Sequence, residues 1–149
     1  RPATHHHRLE RHVATAVTFF VEGVPATAGS KRHVGKGRII DSCKRNKPWR
    51  TCVQLAARQS MEGDLPWPPG TPLAADFEFV VSKPKGTPKR VTAPVTRPDL
   101  LKMARAVEDA LTQIAYHDDS QIVVETLSKR FALPDEPVGV RVTIEPAPA

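Results

Sequence analysis

The sequence predicts an α+β fold: one domain in which two main helices pack on a mixed β-sheet. Three observations carry this. The chain has 149 residues, 40% of them hydrophobic, which is enough for one core. Stretches with strand and helix periodicity follow one another in the order β, α, β, α, β, β. Fifteen prolines, about double ordinary usage, give those stretches sharp ends.

Residues 1–13 are basic and His-rich (His5, His6, His7 and His12) and have no apolar segment of the kind a secretory signal needs. They read as a tail or tag outside a domain spanning 14–146, with 147–149 as a second short tail. Ala14 to Glu22 is rich in β-formers, partly alternating and bounded by Gly23 and Pro25, so it reads as the first strand. Val24 to Arg50 is poor in large apolar residues and dense in Gly, Lys and Arg. Within it, Val34 to Ile40 suits a small hairpin around Gly35-Lys36-Gly37. Pro48 fits the first turn of a helix running to about Met61, with Val53, Ala56, Ala57 and Ser60 as its small-residue face.

Glu62 to Pro72 holds four prolines and two glycines and must be a loop, with Trp67 as a packed anchor. Leu73 to Val81 alternates as a core strand does. Ser82 to Pro98 is a basic, proline-broken loop, long enough to suggest a functional role. Asp99 to Gln113 is the clearest helix. Gln121 to Phe131 and Val138 to Glu145 follow as strands, with Pro134 and Pro137 marking the turn between them.

Lys and Arg total 22 against 16 Asp and Glu, a net charge of +6 that favours an anionic partner without naming it. The cations concentrate in two segments. Lys31, Arg32, Lys36, Arg38, Lys44, Arg45, Lys47 and Arg50 fall in the first, and Lys83, Lys85, Lys89 and Arg90 in the long loop. Such clusters suit phosphate contacts that position nucleic acid without reading bases. Aromatics are only 5% of the chain, which argues against an aromatic stacking platform and disfavours an RNA-binding domain. No stretch approaches the roughly 20 apolar residues of a membrane span. Cys43 and Cys52, without a secretory signal, read as thiols in a reducing cytoplasm. No further Cys or His lies at zinc-ligand spacing around them.

The chemistry lies between Arg97 and Arg130. Asp99 follows Pro98 and falls at or near a helix N-cap, where the helix dipole favours its ionised form. Asp118 and Asp119 occupy a turn just before a β-run. Carboxylates converging from separate elements hold Mg2+, which prefers oxygen ligands and keeps several waters. The simpler reading, a cap and a turn with no metal, stands beside this one.

The run Pro98-Asp99-Leu100, Ala106-Val107-Glu108-Asp109-Ala110-Leu111 and Asp118-Asp119-Ser120-Gln121 resembles the RusA family of Holliday-junction resolvases. That family carries P-D-x-D-N-L-x-K-A-x-x-D-A-L followed closely by D-D-x-Q. Val21-Glu22-Gly23-Val24-Pro25, Gly29-Ser30-Lys31-Arg32 and Lys47-Pro48-Trp49-Arg50 look like its N-terminal G-x-P and basic loop. The resemblance spans about Thr18 to Ile144. It implies a homodimeric endonuclease, bacterial or phage-encoded and cytoplasmic, that nicks four-way DNA junctions symmetrically. Mg2+ would be its cofactor, with Mn2+ as a substitute; no small-molecule cofactor and no membrane are implied.

By that resemblance the first family aspartate falls on Asp99 and the later catalytic one on Asp119, with Asp118 beside it as a further metal ligand. The family lysine falls on Arg105, which would offset charge on the phosphate. DNA contacts are expected from Lys31, Arg32, Lys44, Arg45, Lys47, Arg50, Lys85, Lys89, Arg90 and Lys102. The chain departs from the pattern at the second acid, which is Leu101 here, and at the following Asn, which is Lys102. Glu108 lies seven residues on from Leu101, on the same helical line but about 10.5 Å away. It replaces the missing acid only if the metal sits nearer the helix C-terminus, and an Arg105–Glu108 surface pair is the simpler expectation. Asp109 is expected to bond within the fold, and His117 to be an incidental loop histidine.

A fifteen-residue helix is about 22 Å long. Asp99 and Asp119 therefore share a metal only if the helix is shorter or the acids approach across a dimer interface. The alternative function is a catalytically impaired branched-DNA-binding protein of the same fold, because of Leu101.

Overall fold

The computed structural model describes residues 15–27, 31–34, 38–41 and 48–148, and for 31–34 and 38–41 it describes the backbone. The expected 1–13 tail lies outside the described residues. The elements are β1 (Val17–Glu22), β2 (Lys31–Val34), β3 (Arg38–Asp41), α1 (Trp49–Ser60), β4 (Leu73–Val81), α2 (Leu100–Leu111), β5 (Ile122–Phe131) and β6 (Gly139–Pro146). This is the predicted single-domain α+β architecture. The basic hairpin is present as the antiparallel pair β2–β3, in register from Lys31↔Asp41 to Val34↔Arg38.

The main sheet is mixed and four-stranded, in the order β1-β6-β4-β5. Strand β6 runs antiparallel to both β1 and β4, from Val17↔Ile144 on one side and Leu73↔Pro146 on the other. Strand β5 runs parallel to β4 from Leu73↔Ile122 to Val81↔Phe131, and α2 supplies the crossover that a parallel pair needs. The Pro134–Pro137 turn therefore joins two strands that are not neighbours.

Alternation sets which face is buried. In β4, Leu73, Ala75, Phe77 and Phe79 are buried, whereas Asp76 points to solvent. The two phenylalanines meet edge to face at 6.5 Å. Against this face pack Trp49, Val53 and Ala57 of α1, and Met103, Ala104, Val107, Ala110 and Leu111 of α2. Within the expected small face of α1, Val53 and Ala57 are buried, Ala56 is half-buried and Ser60 is exposed. Trp67 is the anchor expected of its loop, 1% exposed, with its backbone N–H donating to the Ala115 carbonyl at 2.9 Å. At Gly139 a Cβ would fall 1.9 Å from the Val21 carbonyl oxygen, so only glycine lets β1 and β6 close there.

The opposite sheet face is polar. Thr18 and Thr143 hydroxyls meet at 3.3 Å, and Arg141 lies over the Phe20 ring. Arg130 pairs with both oxygens of Glu136, at 2.6 and 2.7 Å, and reaches Glu78 at 3.4 Å. The Arg130 bond and the Leu133 N–H hold Glu136 down at about 2. Among the described residues, no helix is long and apolar enough to cross a membrane.

Candidate active site

Helix α2 begins as its sequence requires. Asp99 is the N-cap, and its Oδ1 accepts from the Lys102 N–H at 3.1 Å. Its approach is fixed by Lys129 of β5, whose Nζ donates to the carbonyls of Thr96 (2.8 Å) and Pro98 (3.0 Å). The helix ends at Leu111, two residues before the expected Gln113. Gln113 turns the chain at φ 70°, and its N–H donates to the Tyr116 carbonyl at 2.7 Å. Tyr116 is fully buried. Its hydroxyl donates to the Glu108 carbonyl at 2.7 Å, and the Thr112 hydroxyl donates to the same oxygen at 3.1 Å. Two side chains thus satisfy a carbonyl of the last turn that the shortened helix leaves without a backbone donor.

The acid pair follows. Asp118 caps a 3₁₀ turn over Asp119–Gln121, its Oδ1 accepting from the Ser120 N–H at 2.9 Å. That bond lowers the Asp118 pKa. Gln121 locks the turn from inside: its Oε1 accepts from the N–H groups of His117 (2.9 Å) and Asp118 (3.1 Å). Its Nε2 donates to the carbonyls of Pro68 (2.9 Å) and Thr71 (3.3 Å), tying the turn to the Trp67 loop. Gln121 is the only buried polar side chain among the described residues, and both ends of its amide are used.

Around this turn the acids gather. Glu108, half-buried on α2, hydrogen-bonds Glu125 of β5, and its pKa is pushed up to about 8. Burial is the main cause, followed by the Glu125 bond and the charges of Glu125, Asp119 and Asp109. Asp119 is raised as well, by burial and by Asp118 and Asp109, against the pull of Arg105. The neighbouring Glu125 thus favours the protonated form of Glu108, because it makes a second negative charge there costly.

This arrangement sorts the predicted residues. Asp119, Asp118, Glu108 and Arg105 fall within electrostatic reach of one another, and Glu125 and Asp109 join them. The expected Arg105–Glu108 ion pair does not form among the described residues; Glu108 turns to Glu125 instead. Asp109 makes no hydrogen bond with a described side chain and acts as a further negative charge. Asp99 stands apart: twelve residues of α2, about 18 Å, separate its cap from the helix C-terminus. Lys129, which holds the preceding residue, lies seven positions along β5 from Ile122, at about 3.3 Å each. Within one protomer Asp99 and Asp119 thus flank opposite ends of the α2–β5 track. Leu101 is 71% exposed on the Asp99 side.

Of the predicted DNA contacts, Arg50, Lys85, Lys89, Arg90 and Lys102 are exposed. Lys44, Arg45 and Lys47 lie outside the described residues, and Lys31 and Arg32 fall on β2, where the backbone alone is described. Lys85, Lys89 and Arg90 form no ion pair with a described residue and remain available to phosphates.

Among the described residues, no three His, Cys, Asp or Glu side chains stand close enough to enclose a metal by themselves. Mg2+ does not require that, since one or two carboxylates with waters and substrate phosphates suffice. The Glu108–Glu125 pair beside Asp119, an all-oxygen donor set crowded enough to hold a proton, fits such an ion.

A two-layer α+β domain that joins an acid cluster to a basic loop is the frame of a small nuclease. The model of the endodeoxyribonuclease RusA family matches residues 8–145, and the chain belongs to that family, whose members act on branched DNA. The chain is also similar to the uncharacterized protein YqaN of Bacillus subtilis (strain 168). The two are 28% identical over 126 residues, covering 78% of this chain and 88% of the relative.

Glu125 and Gln121 had no role in the sequence reading. Glu125 sits in a β-run with no motif around it. Gln121 did carry a signal, as the last letter of D-D-x-Q.

Proposed function

We propose that the protein is a Mg2+-dependent, structure-selective endodeoxyribonuclease that resolves four-way junctions as a homodimer. The observation that carries this is the convergence of Asp119, Glu108 and Glu125 from three elements next to Arg105, in a member of a junction-nuclease family. One or two of Asp119, Glu108 and Glu125 would hold the cation directly and the others through water, with Asp118 beside them. The cation supplies an activated water and offsets charge on the phosphodiester. Arg105 acts on the same charge from α2. Gln121 keeps the aspartate turn rigid, and Lys85, Lys89 and Arg90 hold the backbone of a DNA arm.

In this reading Glu108 and Glu125 make good the acid missing at Leu101, in the C-terminal half of α2, and Asp99 caps the helix. The outer edge of β5 has no strand partner among the described residues and exposes Val123 and Val124. That is surface suited to a second copy, and two symmetry-related copies would make paired nicks. Incubation with a synthetic four-way junction and Mg2+ tests the proposal; junction left intact at micromolar dimer refutes it.

A second reading, a branched-DNA-binding protein without catalysis, draws on the exposed Leu101. It expects a gel shift on junctions and no cleavage in Mg2+ or Mn2+. Leu101→Asp separates the two: nicking gained in an otherwise inert protein supports the second, and unchanged nicking supports the relocated acids. Because Leu101 is exposed, the substitution should alter stability by about 0.5 kcal/mol or less.

A further inference from the structure

A cleft of about 420 Å3 opens where β4 and β5 end and the chain turns into α2, at the end of the molecule away from the acid cluster. Its volume is in the roughly 300–1,000 Å3 range of small-ligand sites. The lining is largely apolar and includes Pro25, Pro84, Pro98 and Phe131. Ser82 and Thr96 add hydroxyls. Arg97 lines the cleft, is exposed and forms no ion pair with a described residue; Lys83 Nζ sits 5.6 Å from the centre of the Phe131 ring. No acidic residue among the described residues lines the cleft.

Apolar rings, hydroxyls and an uncompensated cation together describe a receptor for an aromatic ring carrying a negative charge. We propose that this cleft receives one unstacked nucleotide from the branch point of the DNA junction, with its base against the proline rings and the open side of Phe131 and its phosphate on Arg97. The proposal rests on the junction-binding reading above. It fits the substrate, since a base pair at the crossover of an opened junction lacks a stacked neighbour on one side and so costs less to unstack than one inside a duplex. It also fits the composition: a chain poor in aromatics builds the seat from proline rings and one phenylalanine. The cleft walls include Pro84 and Pro94 of the loop that carries Lys85, Lys89 and Arg90, so the cations meeting a DNA arm and the seat for its terminal base belong to one segment.

The test uses four-way junctions with 2-aminopurine at successive positions around the crossover, bound to the full chain without divalent metal. Fluorescence should rise severalfold at one position. Ser82→Trp, an exposed residue whose replacement fills the cleft, should abolish that rise while leaving binding to linear duplex unchanged. Arg97→Gln, also exposed, should weaken junction binding about tenfold. A junction that binds with no rise at any position, or a rise that persists in Ser82→Trp, overturns the cleft alone. Absence of junction binding overturns it together with the proposed function. Circular dichroism of both variants checks folding, and the wild-type measurement needs no variant.

Discussion

At one end of helix α2 the surroundings are cationic and open. Asp99 caps the helix, Leu101 and Lys102 are exposed, Lys129 grips the preceding carbonyls, and the basic loop lies alongside. At the other end half-buried Glu108, Asp109 and Asp119 crowd together with exposed Glu125 beside a turn locked by Gln121. One helix thus links a region rich in exposed cations to a region crowded with negative charge. An isolated carboxylate at an N-cap is already satisfied, whereas a half-buried carboxyl group facing other acids is stabilised by a proton or a cation. Which acids matter for catalysis therefore depends on their company more than on their place in a motif.

The sharpest break of this comparison is Asp119→Asn. It should lower nicking by about 10²–10³-fold with junction binding retained in a gel shift. Equal loss of binding would move Asp119 from chemistry to structure.

Gln121→Leu comes next. It strips partners from two carbonyls and two N–H groups, so urea denaturation should show a loss of about 2–4 kcal/mol. A loss below 1 kcal/mol would mean that water replaces the amide at roughly 1 kcal/mol per bond.

The acidic end should also set the pH dependence of stability. Glu108 in the folded chain titrates at about 8, against an ordinary 4.5, so the folded state binds the extra proton between those values. Stability from this group is fully present below about 4.5 and falls as pH rises through 8. The thermal midpoint should drop from pH 6 to pH 9, and Glu108→Gln should flatten the drop. Added Mg2+ should flatten it too, by relieving the same repulsion.

The smallest effect belongs to the other end. Asp99→Ala should cost about 1 kcal/mol by loss of the cap, while Asp99→Asn, an equally good cap, should cost almost nothing. Nicking that survives Asp99→Asn supports the division of labour drawn here. Nicking that vanishes without loss of stability brings Asp99 into the reaction, by way of a second protomer.

Local signals carried most of the fold. Strand β4 runs from Leu73 to Val81 as its alternation predicts, Asp99 caps where Pro98 and the apolar spacing place it, and Trp67 is buried as a loop anchor should be. The end of α2 was hidden because no glycine marks it: Gln113 takes the positive φ, and a buried tyrosine sixteen residues after Leu100 supplies the partner. Glu108 looked like a surface residue paired with Arg105 at helical spacing. Its real partner, Glu125, is set by the parallel pairing of β5 with β4, which no local pattern encodes. Motif residues were legible one by one, but the distance between Asp99 and Asp119 was not, because it depends on where α2 stops.

The position of β6 has a further consequence. It is the last strand of the domain to be synthesised, yet it lies inside the sheet and is the one strand that β1 pairs with. A nascent chain on the ribosome therefore holds β1 and β4 as two unjoined edges until Pro146 has emerged. The sheet closes in a single late event, and a chain cut short before Gly139 would present two sticky borders in place of a finished enzyme.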